Sequence, residues 1–206
     1  ETSNFSGFDS LTLLGGDGAQ VINVNGLDSA TTVNTINVTG DNFSGTDASV
    51  NTINIRDGPA AVTVNATAAQ GNDIFNVGSA TNTLTPILGT VNLTGGVGAS
   101  VINVNDQGFA GATTYTISTT GAASGRVQRT GTGQINYFDP GFASLTLNAG
   151  SGGTVVDVTG TLAATPVFVN GGTGNYTFNV GNANTIDTIH TTVTFNLNTG
   201  TSPLKL

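Results

Sequence analysis

One short phrase recurs along the chain: apolar, polar, apolar, then a turn. Leu11-Thr12-Leu13, Ile22-Asn23-Val24, Ile36-Asn37-Val38 and Ile53-Asn54-Ile55 open the series. Val62-Thr63-Val64, Phe75-Asn76-Val77, Val91-Asn92-Leu93, Ile102-Asn103-Val104 and Tyr115-Thr116-Ile117 continue it. It closes with Leu145-Thr146-Leu147, Val156-Asp157-Val158, Phe178-Asn179-Val180 and Phe195-Asn196-Leu197. A period of two puts both apolar residues on one face and the central Asn or Thr on the other, which is the pattern of a half-buried strand. Gly, Asn or Asp follows nearly every phrase and supplies the turn. The residues that fill exposed helix positions are scarce, and Thr and Val stand in their place. The pattern predicts an all-β chain of very short strands.

Three features predict that the strands stack as a parallel β-helix, or β-solenoid, rather than closing into a sandwich or barrel. The strands are short. The same Asn or Thr recurs at the middle position, which suits side chains stacked in ladders. The chain also repeats at long range. LTLLGGDGAQVINVNG (11–26) aligns without gaps with LTLNAGSGGTVVDVTG (145–160) at an offset of 134, while NDIFNVG (72–78) aligns with NYTFNVG (175–181) at an offset of 103. The 31-residue difference lies between Gly26 and Asn72. A one-dimensional stack accepts added coils without disturbing its neighbours. The organisation predicted is one solenoid domain over 1–206, with an internal repeat at 8–120 (extra coils at about 27–58) and at 141–206. Gly121–Gly133, with Arg126-Val127-Gln128 and Arg129, is the most irregular stretch and reads as a coil edge with a solvated basic spot.

Composition narrows the function. Four basic residues stand against twelve acidic ones, for a net charge of −8. A phosphate backbone requires Lys and Arg to neutralise it, so nucleic acid is excluded as a partner. No apolar run reaches the length of about 18 residues needed to cross a bilayer, so membrane insertion is not expected. Cys is absent, which removes disulfides and thiolate metal sites.

Calcium is the first chemistry to weigh. Gly15-Gly16-Asp17-Gly18, Gly95-Gly96-Val97-Gly98 and Gly171-Gly172-Thr173-Gly174 carry the glycine skeleton of a calcium-binding β-roll repeat. The ligand position after each holds Gln20, Ser100 and Tyr176, and Thr154 in the aligned copy. Hard cations need clustered carboxylates. The glycines therefore read as turn geometry, no cofactor is expected, and Asp17 and Asp73 remain the calcium candidates. Catalysis is not expected either: the single His190 has no evident nucleophile or orienting partner, and the Asp residues are scattered singly. A glycan or other surface contact would use exposed aromatics, with Phe168 and Tyr176 as candidates.

The stretch SLTLNAGSGGTVVDVTGTLAATPVFVNGGTGNYTFNVGNANTID (144–187) resembles the tandem-repeat β-solenoid modules of giant secreted bacterial surface proteins, which are relatives of RTX-like glycine-rich repeats. A second copy covers about 8–120, so the resemblance spans nearly the whole chain. It implies a parallel β-solenoid at the cell surface or outside the cell, with a structural or adhesive role and no activity. Tyr176 stands where the family has Asp, which weakens a calcium role.

A solenoid has two open strand edges, which normally need capping or charge. Asn4, Phe5, Phe8, Leu11 and Leu13 at one end, and Val193, Phe195 and Leu197 at the other, are apolar or uncharged. They are the residues expected to assemble head to tail with another copy, or with adjoining repeats of a longer chain. The expected function is an extracellular structural protein, a fibre subunit or module. The alternatives are an adhesin-type glycan-binding module and a calcium-dependent RTX-like β-roll.

Overall fold

A computed structural model describes residues 8–27, 32–41, 49–68, 70–139, 141–197 and 203–206. Among them the chain is all β, with seventeen short strands in two sheets and no helix. The parallel β-solenoid predicted by the alternation is the fold observed.

Sheet A holds β1 (Ser10–Leu14), β3 (Thr35–Thr39), β5 (Thr63–Thr67), β7 (Thr90–Thr94), β9 (Thr113–Gly121), β10 (Ser124–Arg129), β11 (Gln134–Phe138), β13 (Thr154–Val158), β15 (Tyr176–Val180) and β17 (Leu204–Lys205). Sheet B holds β2 (Val21–Val24), β4 (Thr52–Ile55), β6 (Ile74–Val77), β8 (Ser100–Asn105), β12 (Phe142–Asn148), β14 (Val167–Gly171) and β16 (Val193–Leu197). The chain alternates between the sheets, and each strand pairs in parallel with the strand one coil away.

Strict register follows from the alternation, because a slip of one residue would turn every apolar side chain outward. Ile36, Val64 and Val91 form one inward column in sheet A, and Ile53, Phe75 and Ile102 form another in sheet B. All six are essentially inaccessible to solvent. The outward middle positions form amide ladders. In sheet B, Asn54 Nδ2 donates to Asn23 Oδ1, Asn76 to Asn54 and Asn103 to Asn76, at 2.9–3.0 Å. A second ladder, two residues along, runs from Asn105 through Asn148 and Asn170 to Asn196. The step from Asn23 to Asn54 is 31 residues, equal to the difference between the two repeat offsets. One coil, β3 with β4, occupies that stretch.

One region departs from the plain stack. β9, β10 and β11 form an antiparallel meander that lies wholly in sheet A. β11 pairs in parallel with β7, and β9 pairs in parallel with β13. In sheet B at the same height, β8 pairs directly with β12. Sheet A therefore carries three rows where sheet B carries one. Gly131, at φ +84°, makes the tight return from β10 to β11. Gly125 lies against the Tyr137 ring, where a Cβ would come within 2.2 Å of Cζ. The expected solvated edge at Gly121–Gly133 is corrected: this segment is a sheet strand, and Arg129 is buried. Reading Arg as exposed by default hid its partner, Asp106.

Candidate functional sites: turns, a polar spine and two open ends

The glycine turns present carbonyl oxygens, and neutral side chains satisfy them. At the first turn, Gln20 Oε1 accepts from Gly16 N at 3.0 Å. Its Nε2 donates to the carbonyls of Gly16 at 2.5 Å and Gly18 at 3.1 Å. At the aligned turn, Thr154 Oγ1 donates to Gly152 O at 2.5 Å. At the last, Tyr176 Oη accepts from Gly172 N at 2.6 Å and donates to Gly150 O at 2.5 Å. These are the positions where a calcium roll carries its carboxylate. Tyr176 is 1 % exposed, which corrects its reading as a surface contact. It starts β15 facing inward, in register with buried Thr154.

The calcium candidates lie in different settings. Asp17 is exposed in its turn. Asp73 is fully buried in a polar spine at the entry to the sheet B strands, just ahead of β2, β4 and β6 and at the first residue of β8. Gln20 N donates to Asn51 Oδ1 at 3.0 Å, Asn51 N to Asp73 Oδ1 at 2.7 Å, and Asp73 N to Ser100 Oγ at 3.1 Å. Asn51 Nδ2 also donates to Asp41 Oδ1 at 2.7 Å, and Asp41 Oδ2 accepts from Gln70 N. The amide of Asn51 thus joins two buried carboxylates. Among the described residues, no group of three or more His, Cys, Asp or Glu converges.

A second buried polar cluster anchors the meander. Asp106 accepts from Leu84 N at 2.6 Å, from Tyr115 Oη at 2.5 Å, and from Arg129 Nη1 at 3.3 and 3.2 Å. The Arg129 guanidinium sits 4.0 Å over the Phe109 ring and reaches Thr85 Oγ1 at 3.2 Å. Tyr115 Oη in turn accepts from Gly150 N at 2.9 Å. Burial raises the Asp106 carboxyl above the usual carboxylate range, and the hydrogen bond from Tyr115 and the Arg129 charge pull the other way. Burial also raises the Tyr115 phenol, helped by the adjacent Asp106. Every member of this cluster is tied to a neighbour, while Arg129 Nε is buried without a hydrogen bond among the described residues. Sequence reading missed it because its charges lie 23 residues apart. The other basic residue of the meander, Arg126, lies on the outer face and bonds Asn136 Oδ1 at 3.0 Å.

The assembly candidates fall at the two ends. Asn4 and Phe5 lie outside the described residues. Phe8 is exposed beside a shallow hollow lined by Ser10, Leu11, Thr12 and Val33. Leu11 and Leu13 face inward and are partly buried against the core. Val193 and Phe195 do the same at the far end, and Leu197 is 37 % exposed. Phe168 points outward in sheet B, in the column between Thr146 and Thr194. His190 is exposed, and its backbone N–H is held by Thr161 Oγ1.

No protein-family model matches this chain, and no curated protein and no solved structure matches it.

Proposed function

We propose that this chain is a non-enzymatic structural module outside the cell, a length of β-solenoid that joins end to end with its neighbours in a fibre or surface layer. The observation that carries the reading is where strand edges are left open. Phe8, Leu14 and Val21 are exposed on the first coil and Leu197, Leu204 and Leu206 on the last, as are Val50, Leu88 and Val97 between them. Along the coils between, both sheets are hydrogen-bonded on either side, and the inward columns are closed. Among the described residues, β1 and β2 at one end, and β16 and β17 at the other, each pair on one side only. Such edges recruit further strands. The amide ladders, the sparsely charged outer faces and the sequence resemblance support a passive, load-carrying role. The neutral donors in the glycine turns support a stack that holds without calcium.

The test is assembly of the purified chain over a concentration series, followed by sedimentation and electron microscopy. The expected product is unbranched fibres one solenoid wide, with a diffraction spacing of about 4.8 Å along the fibre axis. A chain that stays monomeric at the highest concentration, with no fibres, ends this reading.

A further inference from the structure

We propose that β17 is a displaceable strap that occupies the seat for the β1 strand of a second copy of this chain. The proposal rests on the end-to-end reading above and deepens it. The first support is a row count. Among the described residues, sheet A has ten rows and sheet B has seven. Two of the rows in sheet A are the surplus of the meander, where β11, β10 and β9 stand opposite β12 alone. The remainder is eight rows against seven, and the eighth is β17.

That extra row decides how a second copy can dock. Among the described residues, the first rows of a copy are β1 in sheet A and β2 in sheet B, half a coil apart. If β17 stays, the incoming β1 sits on β17, and the incoming β2 lies two rows beyond β16. The edge of β16 is then left unpaired inside the joint, where each bare backbone group costs stability. If β17 leaves, β1 pairs with β15 and β2 pairs with β16, and both sheets run on without a gap.

The hold on β17 is weak. Among the described residues it pairs with β15 at two positions, Phe178↔Leu204 and Asn179↔Lys205, with one further backbone bond from Phe178 N to Pro203 O at 3.0 Å. Leu204 is 55 % exposed and Leu206 82 %. β1 pairs with its own neighbour over five residues and, with Leu11 opposite Phe178, would cover four of the five residues of β15, Thr177 to Val180. Its inward residues also match the seat: Leu11 and Leu13 would continue the columns of Phe178 and Val180, as Leu204 now does for Phe178 alone.

The two amide ladders in sheet B share the polarity that the same joint needs. Each amide nitrogen donates toward the first coil, from Asn196 to Asn170 at one end and from Asn54 to Asn23 at the other. The last rung turns Asn196 Oδ1 to the open edge, and the first rung turns Asn23 Nδ2 to the opposite edge. Setting Asn23 beside Asn196 joins the second ladder of one copy to the first ladder of the next. It also aligns Ile22 with Phe195 and Val24 with Leu197, all inward.

The test locks the strap. Asn179→Cys with Lys205→Cys puts a thiol pair on facing outward positions of adjacent strands, about 4.8 Å apart at Cα and within reach of a disulfide. The chain has no other Cys. The oxidised form is expected to remain monomeric at concentrations where its reduced form makes fibres. A second variant lacking residues 203–206 is expected to assemble at a concentration about tenfold lower than the full chain. If the oxidised form assembles as readily as the reduced one, the strap is refuted while end-to-end stacking stands. If neither the full chain nor the shortened one assembles, stacking itself is refuted, and the strap with it.

Discussion

Residues 11–26 and 145–160 carry the same pattern, yet the structure puts them in opposite sheets. Leu11-Thr12-Leu13 lies in sheet A and Leu145-Thr146-Leu147 in sheet B. Val21–Val24 lies in sheet B, and its counterpart Val155–Val158 in sheet A. The second repeat pair agrees: β6 is in sheet B and β15 in sheet A. The cause is a count of half-coils. Eight strands and the meander, which acts as one, separate the two starts, and an odd number exchanges the sheets. Local pattern decides that a segment is a strand and which face it buries. It does not decide which sheet receives it.

The halves also differ in how they hold buried charge. In the first, the amide of Asn51 bridges Asp41 and Asp73. At the junction with the second, the cation of Arg129 holds Asp106. Arg129→Met is expected to be the most damaging single change. It leaves a carboxylate buried without its cation, a loss of about 3–5 kcal/mol. Urea unfolding measures the loss. Adding Asp106→Asn removes the stranded charge, keeps an acceptor for Leu84 N, and should recover part of it. A stack transmits damage mainly to adjacent coils. Hydrogen exchange should therefore rise from β9 to β13 while β3 to β6 keep their protection. Uniform loss across both halves would show that the chain does not behave as a stack.

Alkaline pH separates the halves without mutation. All three tyrosines, Tyr115, Tyr137 and Tyr176, lie in the meander or the second half. Burial raises each phenol above its ordinary value of about 10. The folded chain then keeps protons that the unfolded chain releases, so the stability they contribute is present below about pH 10 and falls as pH rises past it. Exchange protection measured between about pH 9 and about pH 11 should fail first in β9–β15. Equal failure of the tyrosine-free coils, β3 to β6, would remove the distinction.

The strands, their inward residues and the parallel stack were legible because each depends only on alternation, turn residues and self-similarity. The repeat offsets held the size of the extra coil, since 31 residues is also the step of one amide rung. The meander was not legible. Arg126-Val127-Gln128 has the alternation of a strand, but Arg is solvated by default, and its antiparallel pairing is set by Gly131 and Gly125 together with a carboxylate far along the chain. Tyr176 was misread because it stands where the pattern has Asp. Its alignment with Thr154 holds the correction: that position faces inward in both copies and needs only a donor for the glycine carbonyls.

The smallest expected effect sharpens the account of the meander. Tyr115 and Tyr176 use their hydroxyls, each bonded to a neighbouring coil. Tyr137 Oη is buried and makes no hydrogen bond among the described residues. Its ring packs edge-on to Phe142 at 6.3 Å and against Gly125. Tyr137→Phe therefore keeps the ring contacts and removes an unsatisfied polar atom. The expected change in urea unfolding is between zero and a gain of about 1 kcal/mol, whereas Tyr115→Phe should lose about 1–3 kcal/mol by stranding its partners. A comparable loss at Tyr137 would mean that its hydroxyl bonds to ordered water and that the three rows of the meander are held by polar contacts throughout. The expected contrast assigns them two kinds of support, the buried ion pair at the Asp106 end and aromatic volume at the Tyr137 end.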